Sequence, residues 1–227
     1  MISLGCFYAR SSFLYSDKFL DFMSALTEAL ERIFNWLKQH PSDKYASVEV
    51  LEPGLTYEEI EERVTNLPFR LPKEVYELYQ WRNGTCYGEE DFARFFDGLA
   101  FISLESALQK YNELIEYANE WAEKNWCDPN EIWSLNWFPL FYKEVNYEDY
   151  YIVICDQEEK ETLPVLSRQS EVPELLTQYT SLTNMMLTIA EYYETGAYYV
   201  PADKFERTLE SIRYKYNPEA DFNYFLK

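Results

Sequence analysis

The sequence predicts an α+β fold: a central antiparallel sheet of about four to six strands flanked by helices, with an extra N-terminal helix and a C-terminal helical tail. Three observations predict it. Apolar residues recur at three- and four-residue spacing in the first half, the period changes to two between 137 and 166, and helical spacing returns afterwards. Helices, then clustered strands, then helices are the order of an α+β chain, where an alternating parallel sheet would interleave them.

The elements follow in order. Phe19, Phe22, Met23, Leu26, Leu30, Ile33 and Leu37 predict an amphipathic helix that ends at His40-Pro41. Residues 47–52 alternate weakly and predict a short strand, broken by Pro53-Gly54. Thr56 with Glu59 three residues on has the spacing of a capping box, and Ile60 and Val64 continue that helix inward. Leu71-Pro72 starts another, with proline in the first turn, where a missing N–H does no harm; Val75, Leu78, Tyr79 and Trp81 face the core, and Asn83-Gly84 stops it. Residues 99–102 read as a buried strand. Ser103 caps the longest helix, with Leu104, Ala107, Leu108, Tyr111, Leu114, Ile115, Ala118 and Trp121 inward and a fading end near Trp126. Residues 137–142, 150–155 and 162–166, aromatic and β-branched, predict an antiparallel meander. Pro139 and Pro164 mark strand ends, bulges or edges. Thr183 caps a helix closed by Gly196, and Phe205, Leu209 and Ile212 give one more. Three blocks result: a helical extension over 1–54, an α+β domain over 55–201, and a tail over 202–227 packed on that domain.

The charge is uneven. Of 40 acids and 20 bases, residues 55–201 hold 28 acids against 10 bases, so that block carries −18 of the formal −20. With 47% hydrophobic and 19% aromatic residues, the chain is no disordered acidic tail. A carboxylate excess without a basic cluster excludes a nucleic-acid backbone and an anionic membrane surface as partners. A basic protein partner suits it, because complementary potential speeds encounter; solubility is the plainer explanation of the same charge. No run of 18 apolar residues occurs, and Arg10 follows the apolar start instead of preceding it, the wrong order for a signal peptide. Cys6, Cys86, Cys127 and Cys155 are far apart and read as thiols in a reducing cytosol. A cytoplasmic protein is expected.

Catalytic machinery is sparse. The one histidine, His40, sits at a helix end with no nucleophile placed beside it. The scattered thiols do not make a zinc site, and the six isolated glycines make neither a phosphate loop nor a dinucleotide turn. Residues 156–161 lack the spacing and central glycine of a calcium loop and read as a solvated turn. Carboxylate pairs able to hydrolyse a glycoside are inevitable among 40 acids and therefore unspecific. No catalytic residue, metal or cofactor is expected.

Several segments together resemble the SUKH superfamily, which contains a yeast regulator of cell-wall synthesis and many bacterial immunity proteins. Leu71-Pro72-Lys73-Glu74-Val75-Tyr76 through Asn83-Gly84 is similar to its "LP, helix, then NG" pattern. Phe101-Ile102-Ser103-Leu104-Glu105-Ser106-Ala107 matches the strand and "sLeea" helix. Trp137-Phe138-Pro139-Leu140-Phe141, Glu148-Asp149-Tyr150-Tyr151-Ile152-Val153, Pro164-Val165 and Ser181-Leu182-Thr183 follow in the family order. The resemblance covers about residues 55–195. It departs where Val145-Asn146-Tyr147-Glu148 replace the glycines that members often carry before the "DYY" strand.

The resemblance implies one α+β domain that binds protein without catalysis, as immunity against a toxin or as an intracellular regulatory scaffold. The expected contact surface lies beside the NG turn and the DYY strand: Glu89, Glu90, Asp91, Glu144, Glu148 and Asp149 at the rim, with Tyr87, Tyr147 and Tyr150 as aromatic anchors. It would mask the basic surface of a partner such as a toxin nuclease. Two alternatives remain: a scaffold using residues 1–54 and the tail for further contacts, and a hydrolase with a carboxylate of raised pKa in an aromatic cleft.

Overall fold

The computed structural model describes residues 23–41, 48–85, 94–96, 99–143, 149–169, 172–197 and 202–220. Six helices lie among them: α1 (Ala25–Gln39), α2 (Tyr57–Val64), α3 (Lys73–Trp81), α4 (Leu104–Asn125), α5 (Leu182–Thr195) and α6 (Ala202–Tyr216). Six strands, β1 (Arg94–Phe96), β2 (Leu99–Phe101), β3 (Trp137–Lys143), β4 (Tyr150–Ile154), β5 (Val165–Gln169) and β6 (Val172–Tyr179), form one antiparallel sheet whose spatial order is the chain order. The predicted α+β class with a central sheet is what forms.

Local chemistry starts the helices where the sequence places them. Thr56 and Glu59 make the capping box: the Thr56 hydroxyl accepts from the Glu59 N–H, and the Glu59 carboxylate accepts from the Thr56 N–H. Ser103 caps α4 by accepting from Ser106 N–H at 3.1 Å. For α5 the capping side chain is Ser181, not Thr183, and Glu74 of α3 adds a carboxylate that accepts from the N–H groups of Leu182 and Thr183. That places negative charge at the positive end of the helix dipole. Pro72 is the N-cap of α3, one position earlier than predicted.

The sheet's register explains its burial. Phe138 pairs with Val153 and Phe141 with Tyr151, so the irregularity around Leu140 keeps Phe138 and Phe141 on one face although they are three residues apart. Pro139, which has no N–H to give the ladder, sits in that irregular stretch, and Pro164 falls just before β5. On this face Phe138 meets Phe69 and Tyr111, while Phe141 meets Phe96 and Phe101, each at ring separations of 5.4–6.3 Å. Trp133, from the turn after α4, stands edge-on to Trp137 and Tyr150 at 5.6 Å.

Several expectations are corrected. Residues 48–50 form a 3-10 turn instead of a strand. The third meander strand begins at Val165, beyond Pro164, where 162 was expected. Strand β6 has no counterpart in the predicted element list. Its consecutive Leu175 and Leu176, its Pro173 and its two irregular pairings with β5 erase the period of two, and its place at the sheet edge tolerates the proline.

The block over 1–54 is not an appendage where it is described. Leu26, Ala29, Leu30, Ile33 and Leu37 of α1 belong to the same buried cluster as the sheet. Trp36 stacks on Tyr193 of α5 at 4.8 Å, and Arg32 pairs with Glu194 at 2.6 Å. Helix α6 packs on α5 through a smaller cluster of Tyr192, Ala197 and Ile212. There buried Asn217 accepts from Thr180 N–H at 2.9 Å and donates to the Thr188 hydroxyl at 3.0 Å. No helix among the described residues is long and apolar enough to cross a membrane.

Candidate functional site

Asn83 and Gly84 are the centre of the sequence pattern, and their chemistry is structural. Asn83 is buried; its Oδ1 accepts from Leu104 N–H at 2.9 Å, a second acceptor for the start of α4. Its Nδ2 donates to Glu105 at 3.0 Å and to Glu52 at 3.2 Å. Gly84 has φ +65°, and a Cβ there would lie 2.6 Å from the backbone of Ile102, so only glycine lets the chain pass this close to β2. Arg63 reaches Glu105 at 2.5 Å. Burial pushes the Glu105 carboxyl up, but bonds from Asn83, its own N–H and Arg63 outweigh it and hold the group below the usual carboxylate range.

Of the expected contact residues, Tyr87, Glu89, Glu90, Asp91, Glu144, Tyr147 and Glu148 lie outside the described residues. Asp149 and Tyr150 are described, and neither stands on a rim: both are buried. The Tyr150 ring is covered by Trp133, and the charge of Asp149, just before β4, opposes the downward effect of burial on the Arg168 guanidinium of β5. Tyr142 is likewise buried, opposite Tyr150. The alternation rule fails here because both faces of β3 and β4 are covered. Cys155 is buried and its thiol pushed up to about 12 by that burial, while Cys127 is half-buried; both are free thiols.

Among the described residues Tyr57 of α2 and Tyr214 of α6 are exposed aromatics, and three more gather along the end of α4. Tyr117 and Trp121, one turn apart with ring centroids at 6.1 Å, are exposed, although helical spacing predicts Trp121 inward. Trp126 closes the helix. It is 95% exposed and holds φ 57°, the one positive φ outside glycine among the described residues. Its N–H donates to Ala122 O. Together with Asn119, Ala122, Glu123, Cys127 and Pro129 it lines an open groove of ≈ 710 Å³.

Helical geometry assigns the sides. At 100° per residue Glu116, Asn119 and Glu123 form one stripe leading to that groove, and Tyr117 with Trp121 occupy the opposite flank. Glu113 is tied to Lys110 at 2.6 Å and Glu120 to Lys124 at 3.4 Å. Glu116 and Glu123 are exposed and make no ion pair among the described residues. Among the described residues the carboxyls whose affinity for a proton moves, Glu105, Glu113 and Glu191, all move down, each through hydrogen bonds from neighbouring donors that outweigh burial. Among the described residues no group of three or more His, Cys, Asp or Glu side chains is placed to hold a metal ion.

The arrangement defines an α+β domain with a carboxylate-rich exterior and one exposed, backbone-strained tryptophan. The chain matches no family model and no curated protein.

Proposed function

We propose that this chain is a non-catalytic protein-binding domain of the SUKH type, acting as an immunity-type inhibitor or intracellular binding module that docks a basic protein partner through its acidic surface. The observation that carries the reading is the charge distribution, 28 acids against 10 bases over residues 55–201. Exposed carboxylates such as Glu116 and Glu123, which make no ion pair among the described residues, are free to pair with a partner. Two further observations support it. The residues of the NG and "sLeea" segments meet in space, with Asn83 joining α3 to the start of α4. Among the described residues the carboxylates that shift do so downward, whereas a hydrolase needs one held protonated. The scaffold alternative assigned separate contacts to residues 1–54, and the apolar face of α1 is used by the core.

The test is capture of partners on the immobilised chain at about 50 mM and about 500 mM salt, across which the screening length falls several-fold. The expected result is a basic protein retained at low salt and released at high salt. Charge reversal of Glu89, Glu90 and Asp91 together should then slow its association and flatten the salt dependence. A partner that is acidic, or one whose binding ignores salt, overturns the reading.

A further inference from the structure

Trp126 is costly in two ways that no fold-level need explains. A left-handed backbone puts the Cβ of any residue but glycine too close to its own carbonyl, so a helix end of this geometry normally carries Gly or Asn. A 95% exposed indole also leaves a large apolar surface in water. Backbone strain of this kind, held in a sparsely populated region at a surface groove, points from structure to function. The groove beside it has an apolar floor from Ala122 and Pro129 and one carboxylate, Glu123, with Glu116 two turns further along the same stripe. A flat aromatic face next to an unpaired carboxylate is the environment a guanidinium fits, stacking on the ring while donating to the oxygens. The molecule uses the same chemistry internally: Arg82 lies over Phe34 and Trp81 at 5.3 and 5.5 Å, and Arg213 over Tyr179 at 5.7 Å.

We propose that the groove formed by Trp126, Glu123 and Pro129 docks an arginine-bearing segment of a basic protein partner, one guanidinium stacking on Trp126 and pairing with Glu123 while a second cation meets Glu116. This rests on the acidic-docking reading above and adds to it the place and the side chain recognised. A second copy of this chain is a poor occupant, since two molecules of charge −20 repel. Lysine is a poorer fit than arginine, being a hydrated point charge without a plane to stack.

The experiment uses the full chain and two fluorescein-labelled decapeptides, one with five arginines alternating with serine and one with five lysines in the same places, followed by fluorescence anisotropy at low salt. The arginine peptide should bind about three-fold or more tightly than the lysine peptide. Trp126→Gly and Trp126→Asn, both suited to a left-handed cap, should abolish that preference while keeping the lysine peptide's affinity. Trp126→Gly should raise the thermal midpoint by about 2–4 °C, showing that the fold is intact. Glu116→Gln with Glu123→Gln should weaken both peptides and reduce the salt dependence. Tyr117→Ala and Trp121→Ala, on the opposite flank, should change neither. Arginine binding that survives both Trp126 variants and the double Gln variant overturns this site alone. Failure of both peptides to bind overturns the acidic-docking reading together with it.

Discussion

Helices α4 and α5 end in the same way with different residues. Each closes on a left-handed cap: Gly196 at φ 67°, ψ 27°, with its N–H donating to Tyr192 O and Tyr193 O, and Trp126 at φ 57°, ψ 41°, with its N–H donating to Ala122 O. Glycine pays no Cβ penalty there; tryptophan does, and it also stands in solvent. The opposite end of α4 sharpens the contrast, because Ser103 and buried Asn83 satisfy its first N–H groups in the manner of a helix built to stay. One helix therefore has an N-terminus arranged for stability and a C-terminus whose residue stability would not select. Residue choice, more than backbone shape, separates the part of the molecule that holds the fold from the part available for contact.

The largest effect should come from the stable end. Asn83→Ala removes the acceptor for Leu104 N–H and the donor to Glu105 and Glu52 at a buried position. Leaving such groups unpaired should cost about 3 kcal/mol of unfolding free energy in urea titrations. A loss below about 0.5 kcal/mol would mean that this corner does not anchor α4, and the contrast between its ends would lapse.

The two caps are the next test, and they should move in opposite directions. Gly196→Ala forces a Cβ onto φ 67° and should destabilise by about 1–2 kcal/mol, whereas Trp126→Gly relieves φ 57° and should stabilise by about 1 kcal/mol. Thermal melts of the two variants check this, and destabilisation by Trp126→Gly would show that the indole contributes packing.

The sequence makes the helices legible because their start signals are local: Thr56 with Glu59, Ser103, and the apolar spacing of Leu26, Leu30 and Ile33 all act within one turn of the residues they organise. The sheet is legible in its centre and lost at its edge, where Pro173 and the paired Leu175 and Leu176 hide β6. The contact surface is the least legible. Tyr150 reads as a surface anchor, yet it is buried, and Trp133, distant from it in the pattern, stands against its ring. Trp126 lies where the periodicity fades, and the one available signal is a large residue two positions before Asp128-Pro129, at a helix end where a glycine is usual.

Acid provides the smallest and most specific probe of the stable end. Glu105 is held below the usual carboxylate range in the folded chain, so it binds a proton more readily when unfolded. Its contribution is therefore present above the unfolded value of about 4.3 and is lost as pH falls through the lower folded value. Urea midpoints taken at about pH 6 and about pH 3 should fall less between those conditions in Glu105→Gln than in the unaltered chain, since glutamine has no proton to take up. The difference is modest because about half of the Glu105 side chain is exposed to screening solvent. Glu123→Gln, at the other end of the same helix, removes no ion pair among the described residues and relieves a negative charge beside the negative end of the helix dipole, so it should raise the pH 6 midpoint slightly. Equal acid sensitivity in Glu105→Gln and the unaltered chain would show that the bonds from Asn83 and Arg63 do not favour the charged form, and the polar satisfaction assigned to the N-terminus of α4 would have to be withdrawn.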